Sequence, residues 1–339
     1  MTAVRTPTAY PSTLIEEWLD RTGLSAQRAT VIVTLPQLAF LLVAAYLEGV
    51  LAETASIGFW RSALMFPGIT AYIILTEPVG RRLRNAAIDA LRPLVPVDDD
   101  EFLRLLAREP LFNRRRECMS MVFGAAVVLF FRPWQSLPSW LTVYQVLAGA
   151  LMFGLLGSIV VSSLAATRLG AGWSVAEDIN VFELQRLQPI ARWSLGNAMF
   201  YIGGITLSLL FLGRFALDLL NVAIYGVLTS AAVVVFFSGM RSTHRLMLQA
   251  KERELERVSR TLAAASRALK ERGDRAEQMG ILINLALWRT YEKQVEELPD
   301  WPYTDEIRRS LLVSMLLPLA AYVVPALALE VLQRLLLSP

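Results

Sequence analysis

Chemistry-bearing side chains are scarce in this chain of 339 residues. It has one cysteine, Cys118, and one histidine, His244, and only 19% of its residues are charged. A lone cysteine excludes a disulfide framework, and with a single histidine it cannot complete a structural zinc site. The chain has no Walker A loop, no potassium-channel filter and no arginine-every-third voltage sensor. Gly170-Ala171-Gly172 is too short for a phosphate loop, and no ATP-binding pattern follows His244, so a histidine kinase is excluded. No nucleophile–base or metal set is visible, so the expectation is a protein that is not an enzyme, takes no cofactor and binds no nucleic acid.

What the chain has in abundance is apolar sequence. Hydrophobic residues make up 55% and the mean hydropathy is +0.45, which predicts an all-α polytopic protein whose first partner is the lipid bilayer. Seven stretches approach the roughly 20 apolar residues needed to cross a bilayer. They are Thr30–Leu51, Ile57–Leu75, Met119–Phe131, Trp140–Ala165, Ala198–Leu212, Leu220–Ser238 and Leu311–Leu332. Pro36 and the Pro67-Gly68 pair leave open a shallow hairpin for the first two, and Pro318 and Pro325 a distorted last one. Residues 1–28 do not read as a cleavable signal, because Glu16, Glu17 and Asp20 stand where an apolar run belongs. They read as an amphipathic helix at the membrane surface, with Thr13 and Glu16 spaced as a capping box and Gly23 at its end.

Charge sets the expected orientation. With residues 1–28, 77–118, 166–197 and 239–310 on one side of the membrane, 29 of the 33 basic residues fall there, leaving Arg61, Arg132, Arg214 and Arg334 opposite. The positive-inside rule then puts the N-terminus in the cytoplasm and the C-terminus outside. Spans 1 and 2 fill 29–76, spans 3 and 4 fill 119–165, spans 5 and 6 fill 198–238, and the seventh lies in 311–339. The use of 30 arginines against three lysines points to a bacterial inner membrane.

The largest segment between spans, 239–310, predicts an antiparallel helical hairpin. Leu248, Leu255, Val258, Leu262, Ala265 and Leu269 form a heptad seam that only Lys251 interrupts. The first helix should continue the sixth span, and the second should stop before Pro299. In 77–118, Arg81–Leu94 reads as a helix lying on the membrane, and Asp98 to Glu101 as the acidic start of another. In 166–197, Pro189 and Trp193 read as the break and interfacial anchor of an elbow.

The expected spans hold no carboxylate near their middles. Glu48, Arg61, Arg214 and Asp218 stand at the outer ends, pairing among themselves or lining a vestibule. Ala150, Gly154, Ser158, Ser162 and Ala166 give the fourth span a small face for close helix approach. Asn197, Gly204, Ser208, Asn221, Thr229 and Ser230 are candidates for a narrow polar pathway. The combined expectation is an oligomeric, channel-like protein with the hairpin as assembly or gating element. Its alternatives are a carrier of an uncoupled or apolar substrate, and a scaffold or sensor that docks a cytoplasmic protein.

Overall fold

The protein is described here from a computed structural model covering residues 10–53, 57–109, 113–131, 139–166, 188–212, 219–271, 275–298, 305–318 and 320–321. Every regular element among these residues is helical. In chain order they are α1 (Leu14–Thr22), α2 (Ala26–Leu47), α3 (Val50–Glu53), α4 (Ile57–Leu91), α5 (Asp99–Arg108), α6 (Arg114–Ala126), α7 (Ser139–Ala166), α8 (Gln188–Leu212), α9 (Leu219–Glu271) and α10 (Arg275–Glu296). A further helix, α11, covers 305–318.

Local signals fix several helix ends. Both halves of the Thr13–Glu16 capping box form, and Gly23 closes α1 at φ 63°. Asp98 caps α5 by accepting from the Glu101 N–H at 2.7 Å. The proline breaks do not materialise. Pro36 lies inside α2, and Pro67 and Pro78 lie inside the 35-residue α4, so both helices continue through their prolines. A proline removes one intrahelical hydrogen bond, and packing on both sides supplies the rest.

Among the described residues, four helices are long and apolar enough to cross a membrane: Ala26–Leu47, Trp60–Leu91, Ser139–Ala165 and Gln188–Phe211. α2, α4 and α7 pack on one another, α8 lies on α4, and α9 lies on α8. Leu41, Ile73, Ile74, Tyr144 and Met152 fill the space between the first three. Outward-facing Val31, Leu35, Leu42 and Val43 of α2 and Val122 and Phe123 of α6 are more than half exposed. Water penalises an apolar surface of this extent, and hydrocarbon does not.

Three expectations need correction. Arg81–Leu94 is not a separate surface helix. Its first eleven residues continue α4, and Ala87 and Ile88 are fully buried against Phe102 and Leu106 of α5. Pro189 begins α8 rather than breaking an elbow, as a proline in the first turn does. Trp193 is no interfacial anchor, since it is 7% exposed and packs in the cluster with Ile88 and Met247.

α9 runs unbroken through Gly239 for 53 residues, and α10 packs antiparallel on its second half. The Tyr291 hydroxyl donates to Glu254 at 2.9 Å, while Lys251 Nζ donates to the Glu296 and Leu298 carbonyls at 2.8 and 2.9 Å. Lys251, the one flaw in the heptad seam, therefore caps the C-terminal end of α10. Val258 and Val295 are fully buried, and Leu248, Leu255, Leu262, Ala265 and Leu269 are half-buried.

Candidate functional site

Four helices bring charge to one buried place. The capping box fixes Glu16 in the first turn of α1, with Oε2 accepting the Thr13 N–H at 3.1 Å. The same oxygen accepts from Arg84 of α4 at 2.7 Å, and the two side chains are 1% and 7% exposed. Glu117 of α6, 6% exposed, accepts the Leu14 N–H on both oxygens at 3.0 Å and the Ser158 hydroxyl of α7 at 3.0 Å. Its carboxylate thus sits at the positive end of α1 and serves an N–H that has no partner within that helix. Glu77 of α4 stands beside the group, on the cavity that Arg84 and Glu117 also line.

α1 is therefore a docked helix rather than one lying flat on a bilayer. Ile15 and Leu19 bury its apolar face, and Glu16 on the other face is fully buried. Outside the buried group, Arg81 pairs with Asp20 through two bonds of 2.8 and 2.9 Å, and Arg114 stands 3.7 Å from Glu17.

Beside this group lies a cavity of about 80 Å³, lined by Thr13, Glu77, Arg84, Glu117, Ser158, Ser162, Ser163 and Asn197. At roughly 10–15 Å³ per occupied position, it holds several waters or a small ion. Two carboxyl groups, those of Glu77 and Glu117, line it beside the Arg84 guanidinium that Glu16 already pairs, so the lining favours a positive guest. Burial pushes the Glu117 carboxyl above the ordinary range, with the Leu14 N–H and the Ser158 hydroxyl pulling the other way. Among the described residues, no three His, Cys, Asp or Glu side chains are grouped to hold a metal ion.

About one helical turn away along α4 and α8 stands a layer of aromatic rings. Tyr72 donates to the Phe200 carbonyl at 3.0 Å and stacks on its ring at 5.2 Å, while Tyr201 donates to the Ile159 carbonyl of α7 at 3.2 Å. Gly203 makes room for this layer, because a Cβ there would fall on the Tyr72 hydroxyl. Gly203→Ala should cost about 1–2 kcal/mol. Adding Tyr72→Phe should recover part of that loss, and thermal unfolding of the two variants in detergent measures the coupling.

The candidate pathway residues separate. Asn197 lines the cavity, Gly204 faces Tyr72, and Ser208 is buried with its hydroxyl on the Ile205 carbonyl of its own helix. In α9, Thr229 is half-buried, Ser230 is exposed and bonded to the Gly226 carbonyl, and the Asn221 side chain lies outside the description. On the small face, Gly154 meets α6 and Ser158 meets Glu117; Ala150 and Ser162 are half-buried, and the Ala166 side chain is not described. Glu48 and Arg61 bond backbone rather than each other. Glu48 accepts the Trp140 N–H at the start of α7, and Arg61 donates to the Leu210 carbonyl near the end of α8. Each therefore complements a helix dipole. Arg214 and Asp218 lie outside the described residues.

Sequence assigned Glu16 to a capping box alone and did not single out Glu77, Arg84 or Glu117. Glu77 and Arg84 lie in the Trp60–Leu91 helix, past Leu75 where the second expected span ends. No protein-family model, no curated protein and no solved structure matches the chain.

Proposed function

We propose that this chain is a transport protein of a bacterial inner membrane that moves a small cation along α4, α7 and α8. The observation that supports this is the cavity lined by Glu77 and Glu117, whose one arginine, Arg84, is already paired with Glu16. Burying ionisable groups in an apolar bundle is expensive, and such groups mark ion routes by default. Asn197, Gly204 and Ser208 continue the route along α8, and the Tyr72, Phe200 and Tyr201 layer closes it in this state. The route is channel-like if that layer opens fully and carrier-like if it opens only in exchange with the cavity end.

The rest of the molecule fits around that route in the same reading. Seven spans cross the membrane, with the N-terminus and the α9–α10 hairpin in the cytoplasm, so the cavity opens at the cytoplasmic ends of the spans. The hairpin joins the sixth and seventh spans and acts as the assembly or gating element. Because α10 already covers the α9 seam, copies of the chain, or a cytoplasmic partner, would meet on the other face of α10. Met279, Ile283 and Leu287 are exposed there at i, i+4 and i+8.

Proteoliposome flux of protons, sodium and potassium tests the proposal. The intact chain should move one of them, and Glu77→Gln or Glu117→Gln should cut that flux by about tenfold or more. Deleting 245–298 from a chain that still folds should change the rate, and saturable counterflow would select the carrier mode. Absence of flux for all three ions across voltage and pH would end the transport reading.

A further inference from the structure

The outer side of the hairpin is charged along α9 and uncharged along α10. On α9, Arg253, Glu256, Arg257 and Arg260 are exposed. On α10, the run from Gln278 to Trp288 carries no charge. Tyr291 and the fully buried Val295 mark the side of α10 turned to α9. Facing away from them, Met279, Ile283, Ala286 and Thr290 follow at steps of four, three and four residues, with Leu282 and Leu287 flanking the line. Met279, Leu282, Ile283 and Leu287 are between 48% and 63% exposed. Water suits the charged side of the hairpin and penalises this one.

Lipid does not reach it. In the seven-span reading, on which this inference rests, the sixth span ends at Ser238, and α9 runs on from there unbroken. The Tyr291–Glu254 bond sets the hairpin register and puts Ile283 opposite Leu262. At 1.5 Å per residue, Leu262 stands about 36 Å past the end of the span, too far for a bilayer to cover. A second copy in the same membrane is held at the same height. Its α10 helix points the same way and presents the same residues.

We propose that α10 joins two copies of the chain through a parallel two-helix seam along Met279, Ile283, Ala286 and Thr290. The 4-3-4 spacing is the core pattern of a coiled coil, and in a parallel pair each core residue meets its own counterpart. Flanking residues five apart then meet across the seam. Leu282 of one copy faces Leu287 of the other, and Arg289 faces Gln294. Apolar side chains therefore meet apolar ones, and no two like charges are brought together. Because α9 continues into the sixth span, the seam also ties the sixth spans of the two copies to each other. This deepens the assembly role of the hairpin by naming its partner as a second copy.

Cysteine cross-linking of the full chain in its membrane tests the seam. In a Cys118→Ser background, Ile283→Cys and Ala286→Cys should each give a disulfide-linked dimer on oxidation. Arg253→Cys and Arg260→Cys, on the charged side of α9, should stay monomeric. Co-expressed chains carrying Leu282→Cys and Leu287→Cys should link to each other. Ile283→Glu added to Ala286→Cys should remove most of the dimer. Residue 283 is exposed within one copy, so this variant should keep its thermal midpoint in detergent. No dimer at 283 and 286, equal linking at all four single positions, or a dimer that survives Ile283→Glu overturns the proposal. Quenching of a fluorophore on Met279→Cys by quencher-bearing lipids would overturn it together with the placement of the hairpin outside the bilayer. The links form without an ion gradient. A chain that forms them and moves no cation would keep the seam and sink only the transport reading.

Discussion

Gly157→Leu should destabilise the chain by about 3 kcal/mol or more, the largest loss expected from any single apolar substitution. α6 and α7 approach so closely that a Cβ on Gly157 would overlap the Ser120 carbonyl oxygen, and one on Gly124 would overlap the Phe153 carbonyl oxygen. Both obstacles are backbone, so neither can rotate away. The helices would have to part, and the dispersion contacts along the seam would go with them. Gly154 is more tolerant, because its added Cβ would stand 3.2 Å from the Met121 oxygen. Gly149 meets side chains alone, a Val128 methyl at 2.7 Å and the Phe66 ring at 3.4 Å. Thermal unfolding in detergent should therefore rank Gly157→Leu well below Gly154→Ala and Gly149→Ala. Equal midpoints for the three would show that the α6–α7 approach contributes little. The damage should also reach the cavity, since Ser158 follows Gly157 directly and holds Glu117.

The helix ends and the long helices were legible in the sequence because they depend on neighbours a few residues away. The Thr13–Glu16 box, Gly23, Asp98 and the seam of α9 all belong to this class. The cavity does not. Its charged residues, at positions 77, 84 and 117, and Glu16 paired with Arg84 come from α4, α6 and α1, and no spacing rule links residues that meet only through tertiary packing. Each also had a sufficient local explanation. Glu16 completes a capping box, Glu77 stands two residues past the apolar stretch that ends at Leu75, and Arg84 and Glu117 sit among topology-setting arginines. The one available signal was Glu117 itself, an acid two residues before an apolar stretch and next to three arginines that would have sufficed without it. The second apolar stretch ends at Leu75, but α4 runs on through Pro78 because α5 and α8 bury Ala87 and Ile88 further along the same helix.

Arg84→Met should be the most damaging polar substitution. The Arg84–Glu16 pair is almost fully buried at 2.7 Å, and removing one partner of such a pair costs about 3–5 kcal/mol because the other charge is left in a poorly solvating interior. In this chain the loss is compounded. Arg84 is the one buried base facing Glu16, Glu77 and Glu117 among the described residues, so its removal leaves an uncompensated acidic cluster. Methionine keeps most of the volume of the arginine stem, which confines the effect to charge and hydrogen bonding. The charge argument makes a sharper prediction for the double variant. Glu16→Gln in the Arg84→Met background removes one of the orphaned carboxylates and should restore about 1–2 kcal/mol. Glu17→Gln, on a largely exposed ion pair with Arg21, should restore nothing. Unfolding curves of the single and the two double variants decide between electrostatics and packing. Recovery with Glu16→Gln alone identifies buried charge as the cause, whereas no recovery in either would mean that Arg84 holds α1 and α4 together by its stem.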